Sequence, residues 1–277
     1  MNLSRRSPWI AAAPLLAMVA VAVVLPFAWR SAGFVSDCVH GSECALRDLV
    51  ADSYYLKAVV NTVWISALST LVALAIGCAA AVALAEHPSW RRASSVLANL
   101  GANFAGVPLA LALTLLFGVQ GVLRQGLASA GIGLPFDLEG NAGLLVAYLC
   151  FQVPLATLML ALPVQMLEAG LLDAAATLGA SPALFWRRVG LPLLLPSLIE
   201  VGSLLFANAA AAYATPFALS GTSANVLAVR IAALVSGDIF SNPGLSSLLA
   251  LLIFALLVTV IGGANLLARR LRGRDAA

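Results

Sequence analysis

Residues Ala58–Ala85 read AVVNTVWISALSTLVALAIGCAAAVALA and contain no Asp, Glu, Lys or Arg. A helix rises ~1.5 Å per residue, so ~20 apolar residues cross the hydrocarbon core of a bilayer, and this run is longer than that. Ser7–Trp29, Ala93–Leu123, Gly140–Leu167 and Ile239–Ala268 are equally free of charge, and Val189–Val229 is interrupted only by Glu200. Lipid gives backbone groups no hydrogen-bond partner, so a spanning segment must be a helix or part of a closed barrel. Ala and Leu dominate these runs and no period of two appears. The sequence therefore predicts an all-α polytopic membrane protein with six transmembrane helices, a single domain over residues 1–277.

Composition agrees. The chain is 62% hydrophobic and 10% charged, against about a quarter charged in a soluble domain. The placement of its basic residues sets the topology. Arg5, Arg6, Arg91, Arg92, Arg187, Arg188, Arg269, Arg270, Arg272 and Arg274 fall on one side of six spans. Arg30, Arg47, Lys57, Arg124 and Arg230 fall on the other, among acidic residues. Cytoplasmic loops carry the excess of Lys and Arg, so both termini are expected in the cytoplasm. No clustered basic face suits nucleic acid. Ser4-Arg5-Arg6-Ser7 resembles the start of a cleaved signal, but Pro8–Trp29 exceeds a signal core of 7–15 residues, so an uncleaved first helix is expected.

The connections expected between spans are Arg30–Lys57, Glu86–Arg92, Val119–Glu139, Glu168–Pro192 and Thr215–Pro243. Cys38 and Cys44 lie in the first of these, on the outer side, where a disulfide is permitted; free thiols are the next reading. Metal binding with His40 comes last, because one His and two Cys leave a tetrahedral set incomplete. Cys78 and Cys150 read as buried small apolar residues.

The stretch Glu168–Pro196, EAGLLDAAATLGASPALFWRRVGLPLLLP, carries more structural signals than a connector needs. Leu171–Leu178 holds good or neutral helix formers. Gly179 ends a helix by taking positive φ. Ser181 is an N-cap and Pro182 a first helical residue, so a second short helix starts there. Phe185 and Val189 share a face, with Arg187 and Arg188 pointing elsewhere, and Leu191-Pro192 is expected to end this helix. Two readings of this helix-turn-helix fit: an apolar knob for a partner, or an amphipathic helix resting on lipid headgroups.

This segment resembles the cytoplasmic loop of permeases from binding-protein-dependent ABC importers. Their pattern is Glu-Ala-Ala, three residues, Gly, nine residues, Ile, one residue, Leu-Pro. Here stand Asp173-Ala174-Ala175, Gly179, Val189 and Leu191-Pro192 at the same spacing, with Asp for Glu and Val for Ile. The resemblance implies that loop 168–192 forms a coupling helix seated in a separate ATPase. Asp173, Ala174, Ala175, Gly179, Ser181, Pro182, Phe185, Val189, Leu191 and Pro192 are then the coupling residues. It also implies ATPase subunits inside, a second permease subunit (the same or a related chain), and an external solute-binding protein. Ala212–Gly221, AYATPFALSG, looks like the polyamine-type branch, which includes iron and sulfate permeases, although Ser220-Gly221 replaces its usual Gly-Gly.

Glu200 is a carboxylate well inside a span, a position that is costly and turned to the bundle interior or a cavity. It reads either as a lining group of the translocation path, suited to a cation, or as a structural hydrogen-bonding group. Asn208, two turns on, shares its face; Asn103, Gln120, Gln152 and Gln165 are weaker candidates. No enzyme is indicated and no bound cofactor: Lys57 is the only lysine, which excludes a P-loop, so any ATP is used by a partner. An ion-gradient-driven secondary transporter is the alternative; it predicts internal repeats and more intramembrane carboxylates.

Overall fold

The structure is a computed structural model that describes residues 52–133, 136–236 and 242–274, with short pieces before residue 52 (13–14, 17–18, 20–26, 28–29, 32–33 and 49–50). The expected span Ser7–Trp29 is described only in pieces, helical where described and π-helical at Ala20–Val24, and Cys38, His40 and Cys44 lie wholly outside the described residues.

The first long helix, α1, runs over Ser53–Glu86 and is capped by Asp52, whose Oδ1 accepts from the Tyr54 N–H at 2.9 Å. It stops at His87 because Pro88 disfavours helical geometry in the residue before it, and Pro88 opens α2, Pro88–Asn103. Helices α3, Val107–Phe117, and α4, Val122–Ser129, follow. The second long helix, α5, covers Asn141–Thr177. A short α6, Pro182–Phe185, leads through a π-helical turn, Trp186–Gly190, into α7, Leu191–Ala210. Then come α8, Ala214–Ser220, α9, Leu227–Ser236, and α10, Pro243–Arg274. No strand occurs among the described residues.

Among the described residues, five helical stretches are long and apolar enough to span: Ser53–Ala85, Val107–Ser129, Asn141–Leu167, Pro182–Ala210 and Gly244–Arg272. Ala214–Ser223 with Leu227–Ser236, bent by 67°, makes a sixth if the pair is one broken span. The chain is thus an all-α, multi-pass membrane protein.

Helices α1 and α5 form the central seam. Ile65 packs in one apolar cluster with Leu144, Ala147 and Tyr148, while Ala73 and Ala81 pack in another with Ala156, Leu160 and Leu167. Earlier residues meet earlier and later meet later, so the two helices run parallel. Lipid tails are as apolar as Leu, so such helices associate by close packing. Gly77 permits a close approach: a Cβ there would lie 2.5 Å from that of Ala156.

Two expected spans are broken. The run Ala93–Leu123 divides at Phe104–Gly106, where Gly106 has φ +76° and donates its N–H to Thr215 Oγ1 of α8 at 3.0 Å. The run Val189–Val229 stops at Ala210 and resumes as α8 and α9. Hydropathy cannot register either break, since the residues at both are uncharged. Cys150, read as buried, is exposed on α5, and Cys78 is half-buried; in lipid an exposed apolar group loses nothing.

Candidate functional site

The site begins where α5 ends. Gly179 takes φ +79°, and two bonds close the helix: Ala180 N–H to Ala175 O and Gly179 N–H to Ala176 O, both 2.9 Å. This is the Schellman arrangement, in which orphan carbonyls are satisfied by a left-handed glycine turn. Ser181 then caps α6, its Oγ accepting from the Leu184 N–H at 3.3 Å, with Pro182 as first residue. The helix-turn-helix read from Gly179, Ser181 and Pro182 is present.

Leu191-Pro192 does not end the second helix. The chain stays helical from Pro182 to Ala210. A proline ring clashes with the carbonyl four residues earlier and lacks an N–H; for Pro192 that carbonyl belongs to Arg188, inside the wider π turn Trp186–Gly190, which gives the ring room. Loop and span are therefore one continuous rod.

The apolar residues of α6 also face differently from the expected knob. Phe185 is 2% exposed and packs with Leu167, Leu172, Ala175, Trp186, Val189 and Leu194. It anchors the loop to the bundle. Trp186 lies edge-on to it at 5.7 Å between centroids, over Gly190, where a Cβ would come within 2.4 Å of the indole. Arg187 and Arg188 are exposed, as expected.

The exposed face consists of Asp173, Ala174, Thr177, Gly179, Ser181, Pro182 and Leu184, crowned by Leu178 at 87% exposure. Leu178 was not singled out by sequence reasoning; its place between a helix and a Schellman glycine was the available signal. Ala175 and Val189 turn partly inward, while Leu191 and Pro192 are exposed further along the rod. Arg187 and Arg188 in the loop and Arg269, Arg270 and Arg272 at the end of α10 make this the basic end of the bundle.

In α7, Glu200 accepts from Arg272 of α10, Nη2 to Oε2 at 2.6 Å. Asn208 lies exposed two turns further on. Gln152 is fully buried on α5 and donates to Leu205 O of α7 at 3.4 Å, a helix-bridging role.

A solved bacterial ABC transporter that imports the acidic polysaccharide alginate has a chain that superposes with a TM-score of 0.73 over 95% of this chain and 96% of its own, at 16% identity. The fold is that of an ABC transporter permease. Two curated permeases are similar in sequence. A probable ABC transporter permease, y4fN of Sinorhizobium fredii, is 28% identical over 220 residues, 78% of this chain and 38% of its own length. The molybdenum transport system permease ModB of Mycobacterium bovis is 31% identical over 116 residues, 42% of this chain and 43% of its own. The chain thus spans less than half the length of either. No family model matches. The similar proteins are ABC transporter permeases, which are not enzymes.

Proposed function

We propose that the chain is the transmembrane permease subunit of an ATP-binding cassette importer, with its basic end and both termini in the cytoplasm of a bacterial inner membrane. The observation that carries this is the rod Pro182–Ala210. An exposed turn topped by Leu178 is joined to it and pinned to the bundle by Phe185, so force applied to the turn moves α7. On this reading the exposed residues from Asp173 to Leu184 seat in an ATPase, Asp173 facing a basic group there. Phe185 and Val189 act from behind to hold the loop in shape. A second permease subunit completes the path, lipid surrounds it, and an external solute-binding protein delivers the solute; the permease fold and the permease relatives support this assignment.

The finer reading from Ala212–Gly221 is a polyamine-type solute. The structure gives that stretch a packing role: Thr215 and Pro216 are buried, and Thr215 holds Gly106. Glu200, the group suited to a cation, is engaged by Arg272.

The test is affinity purification of the full chain from its native membrane in gentle detergent, followed by identification of co-purifying proteins. An ATPase that is retained by the parent and lost on deletion of 173–184 supports the proposal. An ATPase still bound after that deletion, or none bound by the parent, overturns it.

A further inference from the structure

We propose that the face of α2 carrying Ser95, Asn99 and Asn103, together with Phe104, is a contact site for an uncharged, polyhydroxylated solute on the translocation path. The inference rests on the importer reading and names its substrate class.

These three polar residues recur every four positions and so share one face of the helix. They form a ladder: Ser95 Oγ donates to Arg92 O at 2.9 Å, Asn99 Nδ2 to Ser95 O at 2.8 Å, and Asn103 Nδ2 to Asn99 O at 2.9 Å. A carboxamide has two N–H donors and an oxygen with two lone pairs. The two asparagine bonds each use one N–H, which leaves the second N–H and Oδ1 of both asparagines for another partner. Both side chains are exposed.

Depth makes this exposure informative. Gly101 lies between the two asparagines, and a Cβ on it would come within 2.8 Å of Pro154 Cγ. Pro154 is at the middle of the Asn141–Leu167 span. The two carboxamides therefore sit at mid-bilayer, where hydrocarbon satisfies neither donor nor acceptor. Such a face is turned toward water or another polar surface.

The local shape and chemistry select the occupant. A cavity of about 460 Å³ is lined by Val96, Asn99, Leu100, Asn103 and Phe104. Its lining holds no titratable side chain, so a polyammonium ion or an oxyanion would be desolvated there without a counter-charge. A hydroxyl group both donates and accepts and so matches a carboxamide. The Phe104 ring, Val96 and Leu100 supply the apolar surface that the C–H faces of a sugar ring require.

The test uses the full chain in lipid nanodiscs with Cys38, Cys44, Cys78 and Cys150 replaced by Ala and Val96→Cys introduced, both asparagines being kept. A charged, water-soluble methanethiosulfonate is expected to label this cysteine. Trehalose at several times its Kd is expected to slow labelling about fivefold, the factor 1 + [L]/Kd, whereas spermidine and molybdate leave the rate unchanged. In N99L/N103L labelling should persist and trehalose protection should vanish. If that double variant does not fold, Asn103→Ser, which exchanges the carboxamide for a shorter hydroxyl, should show weakened protection. The proposal is overturned by failure of the charged reagent to label, by a disulfide between the Val96→Cys positions of two copies, by absence of trehalose protection, or by protection that survives N99L/N103L. Labelling needs this chain alone. A lost ATPase partner would therefore sink the importer reading without touching this readout, and absent protection would leave ATPase docking intact.

Discussion

Oε2 of Glu200 on α7 lies 2.6 Å from Nη2 of Arg272 near the end of α10. The pair ties the rod that begins in the loop to the last helix. Its side chains are 33% and 55% exposed, and exposed ion pairs contribute about 0–1 kcal/mol. Glu200→Gln and Arg272→Ala should each lower the thermal midpoint in detergent by no more than a few degrees. The exchange Glu200→Arg with Arg272→Glu should restore most of that loss, read by tryptophan fluorescence on heating. A path-lining Glu200 behaves otherwise: Glu200→Gln would abolish uptake at unchanged midpoint, and the exchange would not rescue it.

Leu178 should be the most sensitive residue of the exposed turn. A large apolar side chain 87% open to solvent contributes little to the fold but much to an interface that buries it. Interface anchors cost about 2 kcal/mol or more on truncation, roughly a 30-fold loss in affinity. Leu178→Ala should therefore deplete the co-purifying ATPase while leaving expression and thermal midpoint unchanged. Equal ATPase recovery from Leu178→Ala and parent would remove Leu178 from the contact.

Phe185 should give the opposite pattern. Buried at 2% among Leu167, Leu172 and Leu194, it leaves a cavity when truncated, and Phe→Ala in a packed core costs about 3–5 kcal/mol. Phe185→Ala should lower stability and raise protease sensitivity at Arg187 and Arg188, whereas Phe185→Leu should do both only weakly. A Phe185→Ala protein of parental stability that loses the ATPase would put this ring back on the docking face.

What the sequence made legible follows the range of each interaction. The turn at Gly179-Ala180-Ser181-Pro182 obeys rules that act within four residues, and each bond expected of it is present. Membrane residence followed from uncharged runs, which need no tertiary knowledge. The break at Gly106 depends on Thr215, 109 positions away, and neither residue interrupts hydropathy. The inward turn of Phe185 depends on α5, whose helix continues ten residues past the expected span end at Leu167, to Thr177. Periodicity grouped Phe185 with Val189 correctly but could not say which side of the pair was the bundle. Arg272 read as a topological marker because the pairing rule for charge concerns sides of the membrane and is blind to partners.

Arg230 anchors the opposite end of the bundle and should show the sharpest contrast between two conservative-looking substitutions. It is 7% exposed. Its Nε donates to Asn225 Oδ1 at 3.1 Å, and its Nη2 to Thr222 O at 2.8 Å and Ala224 O at 3.0 Å. Its guanidinium carbon stands 4.4 Å from the centre of the Tyr54 ring, and Asn225 Nδ2 donates to Tyr54 O at 3.2 Å. One planar fork thus gathers the turn between α8 and α9 against the first turn of α1. A lysine ammonium is a point donor on a flexible stem and cannot reproduce that fork. Each hydrogen bond to a charged group is worth about 1.5–3 kcal/mol, so Arg230→Lys should cost about that much, and Arg230→Met more, because three acceptors lose their donor together. Unfolding by sodium dodecyl sulfate in mixed micelles measures both, and ATPase recovery at the far end should not change. A Lys variant as stable as the parent would mean that charge alone, without the fork, holds this turn in place.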